Sequence, residues 1–148
     1  MRASDLVEPY PTVGIDAAAM DAARLLAEQR LVGVIVLDHD GHPFAVLPGS
    51  QLLGGIVPGY VRADPTLARV VDERHADLMC AKLADQTVRD VLPADHRPLA
   101  VVDPDATTME IAALMAASHT PLVAVVDDGE YQGAITTSGL LRRLLAVT

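Results

Sequence analysis

The feature that most constrains this 148-residue chain is an internal repeat. The stretch from Asp105 to Leu145, DATTMEIAALMAASHTPLVAVVDDGEYQGAITTSGLLRRLL, reads as helix, strand, turn, strand, helix. A weaker copy, DAAAMDAARLLAEQRLVGVIVLDHDGHPFAVLPGSQLL, runs from Asp16 to Leu53. Met20 and Met109 lie 89 residues apart, as do Asp38 and Asp127, whereas Leu52 and Leu140 lie 88 apart. The closing turn of the second copy is therefore one residue shorter. A duplicated unit decides the fold before any single residue does. The expectation is an α/β (α+β) fold of two βαββα units. Residues 1–55 form the first unit, 56–87 a helical connector and 88–148 the second.

Local chemistry places the elements. Pro9 and Pro11 stop a short helical lead-in at Ala3 to Val7, because proline lacks an N–H and restricts its neighbour. Val88 to Leu92 mirrors that lead-in, with Asp90 in the place of Asp5. Thr12 to Ile15 and Leu99 to Val102 are short strands. Asp16 is expected to cap a helix from Ala17 to Arg30, with Asp21, Arg24 and Glu28 on its polar face. Gly33 to Leu37 and Leu122 to Val126 are short apolar runs and hence buried strands. Asp38-His39-Asp40-Gly41 and Asp127-Asp128-Gly129 are turns, followed by return strands at Pro43 to Leu47 and Gly133 to Thr136. Ser50 and Ser138 are expected to cap the closing helices. Where the first unit meets the connector, Gly54, Gly55, Pro58 and Gly59 should break the chain. A helix capped by Asp64 and opened by Pro65 follows, with Leu67, Val70, Val71, Leu78, Met79 and Leu83 on its apolar side.

The helix from Met109 to Ala117 carries one charge, Glu110, and is apolar nearly all round. Such a helix needs cover on both sides. Either the connector covers it or a second chain does. The small residues Ala112, Ala113, Ala116 and Ala117 permit close approach and argue for a homodimer. A net charge of −9, from 11 basic and 20 acidic residues, disfavours a nucleic acid polymer and an anionic membrane surface as partners. No apolar run approaches the ~20 residues that span a bilayer, and MRASDLVEPYP has no secretory apolar core. Cys80 is the only cysteine, which excludes an intramolecular disulfide. A cytoplasmic location is expected.

Two βαββα units, each led by a short D-[VL]-[VL] segment and closed by strand, turn and helix, resemble a tandem pair of CBS domains, or Bateman module. His119-Thr120-Pro121-Leu122-Val123-Ala124-Val125-Val126-Asp127 is similar to the family's strand entry. Gly133-Ala134-Ile135-Thr136-Thr137-Ser138-Gly139-Leu140 is similar to its closing G-h-h-T-x-x-D-h, where h is apolar. The resemblance covers residues 1–53 and 88–148. It implies two units packed through their sheets about a pseudo-twofold axis, dimerisation through helices, and regulation by adenosine-containing ligands such as AMP, ATP or S-adenosylmethionine.

In that family the closing Thr meets phosphate and the Asp accepts from the ribose hydroxyls. Here Thr136 is kept, but Gly139 stands at the Asp position, and the first copy has Pro48 and Gln51 at the two positions. Loss of a charge-assisted contact costs about 1.5–3 kcal/mol, or roughly tenfold to a hundredfold in affinity. The candidate site residues are His119, Thr120, Leu122, Thr136, Thr137 and Gly139, with Arg30, Val32 and Val34 as first-copy equivalents. Against this, Leu122, Val32 and Val34 also read as strand core. Thr136 and Thr137 also read as capping residues, and His119 as a helix C-terminal residue. Asp38-His39-Asp40-Gly41-His42 reads as a solvated turn before a metal site. His75 and Cys80 point apart on a helix, Ser50 lacks a nucleophile elbow, and no Gly-rich phosphate loop is present. The expectation is a regulatory module without catalysis. The alternative is a protein–protein interaction module, with an unidentified regulated protein as partner, whose ligand sites have degenerated.

Overall fold

The computed structural model describes residues 1–57, 59–70, 73–92, 96 and 98–147. Val71 and the side chains of His75, Met79 and Cys80, singled out above, lie outside the described residues, as does Pro58. The duplicated pattern becomes two three-stranded sheets of the same topology. In the first, β1 (Thr12–Gly14) runs parallel to β2 (Gly33–Leu37), which pairs antiparallel with β3 (Pro43–Pro48). In the second, β4 (Val101–Val102), β5 (Leu122–Asp127) and β6 (Glu130–Thr136) repeat the arrangement. Helices α2 (Ala19–Gln29) and α7 (Thr108–Ser118) provide the parallel crossovers, and α3 (Gly49–Ile56) and α8 (Thr137–Val147) close the two units.

Burial follows the apolar runs. Val34 and Val36 pack with Ala19, Ala22, Leu26 and Leu52 in the first half. Val123 and Val125 pack with Ile111, Met115, Ile135 and Leu140 in the second. The opposite faces of the sheets meet through Ile35, Leu122, Ala124 and Ala134, all at most 1% exposed. Two tyrosines bind this junction. The Tyr131 hydroxyl donates to the Tyr10 carbonyl at 3.1 Å, and the Tyr10 hydroxyl donates to the Gly33 carbonyl at 2.6 Å. Burial pushes the Tyr131 phenol up to about 12, with the Tyr10 phenol adding to it.

The two lead-in helices cross over. Helix α1 (Ala3–Leu6) opens the first copy in sequence but packs on the second sheet. The Ala3 N–H donates to the Ala106 carbonyl at 2.8 Å, and Glu8 and Ala134 exchange two backbone bonds of 3.0 Å. Helix α6 (Val88–Val91) opens the second copy and packs on the first sheet, with Val88 and Val91 in its core. The Val88 N–H donates to the Ala17 carbonyl at 2.8 Å and the Arg89 N–H to the Ile15 carbonyl at 2.9 Å. Gly133 makes the first crossing possible. Its φ is +147°, and a Cβ there would stand 2.4 Å from the Glu8 carbonyl oxygen.

Several local expectations change. Asp16 does not cap α2, whose N-cap is Ala18 with no side-chain bond. Its carboxylate instead meets His39 and Arg89. Ser50 and Ser138 lie inside helices that start earlier, at Gly49 and Thr137. Gly54 and Gly55 do not break the chain. Helix α3 continues to Ile56, because Leu52 is buried in the core and packing outweighs the glycine penalty of about 1 kcal/mol. The connector is not one helix but α4 (Gly59–Ala63), a 3-10 segment at Pro65–Val70, α5 (Glu73–Lys82) and a 3-10 turn at Leu83–Asp85. Val70 and Leu78 are exposed, whereas Leu83 packs against the first core.

Candidate ligand cleft

Each crossover helix ends the same way. Arg30 after α2 and His119 after α7 take left-handed conformations, with φ of 53° and 52°. This residue terminates the helix and turns the chain into the buried strand. At the second of these turns the Thr120 hydroxyl donates to the Leu122 carbonyl at 2.9 Å, and the Ser118 hydroxyl donates to the Leu114 carbonyl at 2.5 Å. Beside them lies a cavity of about 950 Å³ between the two halves. The first half contributes Val32, Val46, Pro48 and Gln51. The approach to β4 contributes His96, Pro98, Leu99 and Ala100. The end of α7 contributes Leu114, Ala117, Ser118, His119, Thr120 and Pro121.

The lining is apolar with a polar minority, the usual character of a small-molecule pocket. Among the described residues no Asp, Glu, Lys or Arg lines it. The Gln51 side chain makes no hydrogen bond to another described residue, so its amide offers a donor and an acceptor. His96 stands edge-on to Phe44, with ring centroids 4.7 Å apart.

The expected site residues divide. His119 and Thr120 line the cavity, together with Val32 from the first copy. Leu122 and Val34 are fully buried in strand cores. Thr136, Thr137 and Gly139 do not line this cavity. The Thr136 hydroxyl accepts the Gly139 N–H at 2.9 Å, which caps α8. The Thr137 N–H donates to the Pro121 carbonyl at 3.1 Å. Arg30 is the exposed helix cap described above. Sequence reasoning missed Val46, Leu99, Leu114 and His96. Their signal was the register of the return strand and the approach to the short strand, but the crossing of the lead-in helices brings the copies' segments together, and no local pattern encodes that.

The first hairpin turn collects Asp38, Asp40 and His42, whose ligand atoms lie within 4.8 Å of one another. Asp38 Oδ1 accepts the N–H groups of Asp40 and His42 at 2.9 and 3.0 Å, so the turn's own backbone bonds account for the arrangement. Those bonds, the one from His42 foremost, hold the Asp38 carboxyl below its ordinary range. No described helix is long and apolar enough to cross a membrane.

Comparison with known proteins gives this architecture a family. The model of the CBS domain matches residues 87–146. No curated protein matches the sequence. A CBS domain-containing protein of unknown function from Kribbella flavida is 48% identical, with 98% of this chain and 99% of that one covered and a TM-score of 0.91. The CBS-pair protein CBSX2 from Arabidopsis thaliana is 20% identical over 99% of this chain and 95% of that one, with a TM-score of 0.74. A structure of CBSX2 in complex with AMP is likewise 20% identical, with 99% and 97% covered and a TM-score of 0.69. With the duplicated fold and near-half identity over its full length to a CBS-domain protein, the chain belongs to the CBS-domain family.

Proposed function

We propose that this protein is a non-catalytic regulatory module, a homodimer of CBS pairs that binds an adenosine-class ligand weakly in the cleft between its two halves. The cavity of about 950 Å³ carries the reading. It is large enough for a nucleoside, and its walls at Val46, Leu99 and Leu114 suit a planar base. Gln51 stands where the family's ribose-binding Asp would be. Its single neutral acceptor replaces two charged ones, so binding is weaker by the tenfold to hundredfold given above. The AMP complex of CBSX2 supports the ligand class.

The dimer reading rests on α7 and α8. Met109 is 76% exposed, Leu141 56% and Leu145 70%. Helices α7 and α8 contact one another, and exposed large apolar side chains on them offer an interaction surface. The interaction-module reading is favoured by one observation. Thr136, the phosphate-binding position of the motif, spends its hydroxyl on capping α8.

Thermal unfolding in the presence of AMP, ADP, ATP or S-adenosylmethionine separates the two. A ligand at ~100 times its Kd stabilises by about 2.7 kcal/mol. The expected result is a raised Tm with at least one of them, lost in Val32→Trp, which fills the cleft from an exposed position. No shift with any compound, or a shift that survives Val32→Trp, would sink the ligand reading and leave the interaction module.

A further inference from the structure

A second cavity, of about 350 Å³, shares only Gln51 with the cleft. Three segments meet around it: α3 at Gly54 and Gly55, α4 at Arg62, and the chain from Gln86 to Leu92. The Gln86 side-chain oxygen Oε1 is buried and has no hydrogen-bond partner. Such an orphaned acceptor is unfavourable and calls for an explanation. Gly55 lies beside it, where a Cβ would stand in ordinary contact with Oε1 at 3.6 Å. Arg62 and Asp90 line the same cavity, and no ion pair joins them. Asp90 Oδ2 accepts the Thr87 N–H at 2.9 Å, and a carboxylate has lone pairs for further donors. One cation, two acceptors and an apolar wall of Val91 and Leu92 therefore surround one small space.

We propose that this cavity binds the ammonium–carboxylate headgroup of a small aliphatic amino acid. The planar guanidinium of Arg62 matches a carboxylate with two parallel N–H bonds. The ammonium has three donors, for the Asp90 carboxylate and for Gln86 Oε1. The terminal torsion of a glutamine is soft, so its amide turns toward the ligand and gains the partner it lacks. The aliphatic side chain lies against Val91 and Leu92. A simple anion would face Asp90 and leave Oε1 orphaned, whereas a simple cation would face Arg62. Only a zwitterion answers all three groups. Occupancy would tie α4 of the connector to α6, and this gives the module a second input.

The test is thermal unfolding of the full chain with L-alanine, L-valine or L-leucine at millimolar concentration. Propylamine and propionate serve as the two halves of the headgroup. At least one amino acid should raise the Tm, and neither half should. Arg62→Gln should weaken that amino acid at least tenfold. Gln86→Leu should abolish its effect while raising the Tm of the unliganded protein, because the orphaned oxygen is gone. Val32→Trp should leave the amino-acid response intact while removing any adenosine response, so failure here and failure of the cleft are distinguishable. The proposal is overturned if no amino acid acts, if propionate or propylamine acts as well, if Arg62→Gln binds normally, or if Val32→Trp removes the response and so places the amino acid in the cleft.

Discussion

Met20 and Met109 hold the same place in the two copies, and they meet different surroundings. Met20 on α2 is partly buried, in a half where the connector's last turn brings Leu83 against the core. Met109 on α7 is 76% exposed. The connector follows the first copy in sequence and packs on α2 and α3. Met109 keeps apolar solvent contact, and with it Leu141 and Leu145. Duplication copied the backbone frame, but the connector adds cover to α2 and α3 alone, and the homodimer proposed above would cover α7. The sharpest way to break this contrast is a matched pair of substitutions 89 residues apart, at the exposed alanines Ala116 and Ala27. Ala116→Glu places a charge in the α7–α8 face and should weaken the dimer by about 3 kcal/mol, roughly a hundredfold in Kd. Ala27→Glu should leave it unchanged. Light scattering across a dilution series reads both, and equal behaviour of the two variants would remove the second half as the interface.

A smaller contrast lies at the closing turns. Thr136 caps α8 through the Gly139 N–H, whereas Pro48, at the equivalent position before α3, makes no capping bond. Thr136→Ala should therefore cost about 1 kcal/mol, seen as a lower urea midpoint with an unchanged slope. Pro48→Ala should stay within about 0.5 kcal/mol. If both variants lose the same stability, the cap is not what distinguishes the two turns.

Much of the frame was legible in the sequence for a physical reason. Short apolar runs such as Gly33 to Leu37 have only one place to go, and Thr107 with Glu110 spells a capping box that the structure contains. The packing partner of each lead-in helix was not legible. Asp5 and Asp90 each accept the backbone N–H three residues earlier, Arg2 and Thr87, so α1 and α6 look alike locally. Which sheet each covers is set by distant backbone groups, Ala106 and Ala134 for one and Ala17 and Ile15 for the other. The same limit hid most of the cleft. His119 and Thr120 carry a motif, but Val46 and Leu99 acquire a role only when the halves close. Asp16 shows the opposite error. As an acidic residue before a helix it signals a cap, but two basic groups from elsewhere in the fold outbid the helix for its carboxylate.

That carboxylate gives the smallest and most local difference between the halves. Asp16 binds His39 of the first hairpin and Arg89 of α6, the latter at 3.1 Å. The second copy has Asp105 and Asp128 at the positions of Asp16 and His39, so like charges replace the pair and no such tie forms there. The hydrogen bond from His39, then that from Arg89, holds the Asp16 carboxyl below its ordinary range. A depressed folded-state value favours the folded protein at pH values above the unfolded carboxylate range, and the benefit is lost as pH falls through the folded value. All three side chains are more than half exposed, so the effect is modest and is reduced by salt. Urea unfolding of the wild type and Asp16→Asn should show a small gap at about pH 5 and above. The gap should close as pH falls further, and it should narrow at high ionic strength. A gap that persists in acid would mean that Asp16 steadies the first half through its shape and not its charge, and the contrast with Asp105 and Asp128 would then lose its electrostatic basis.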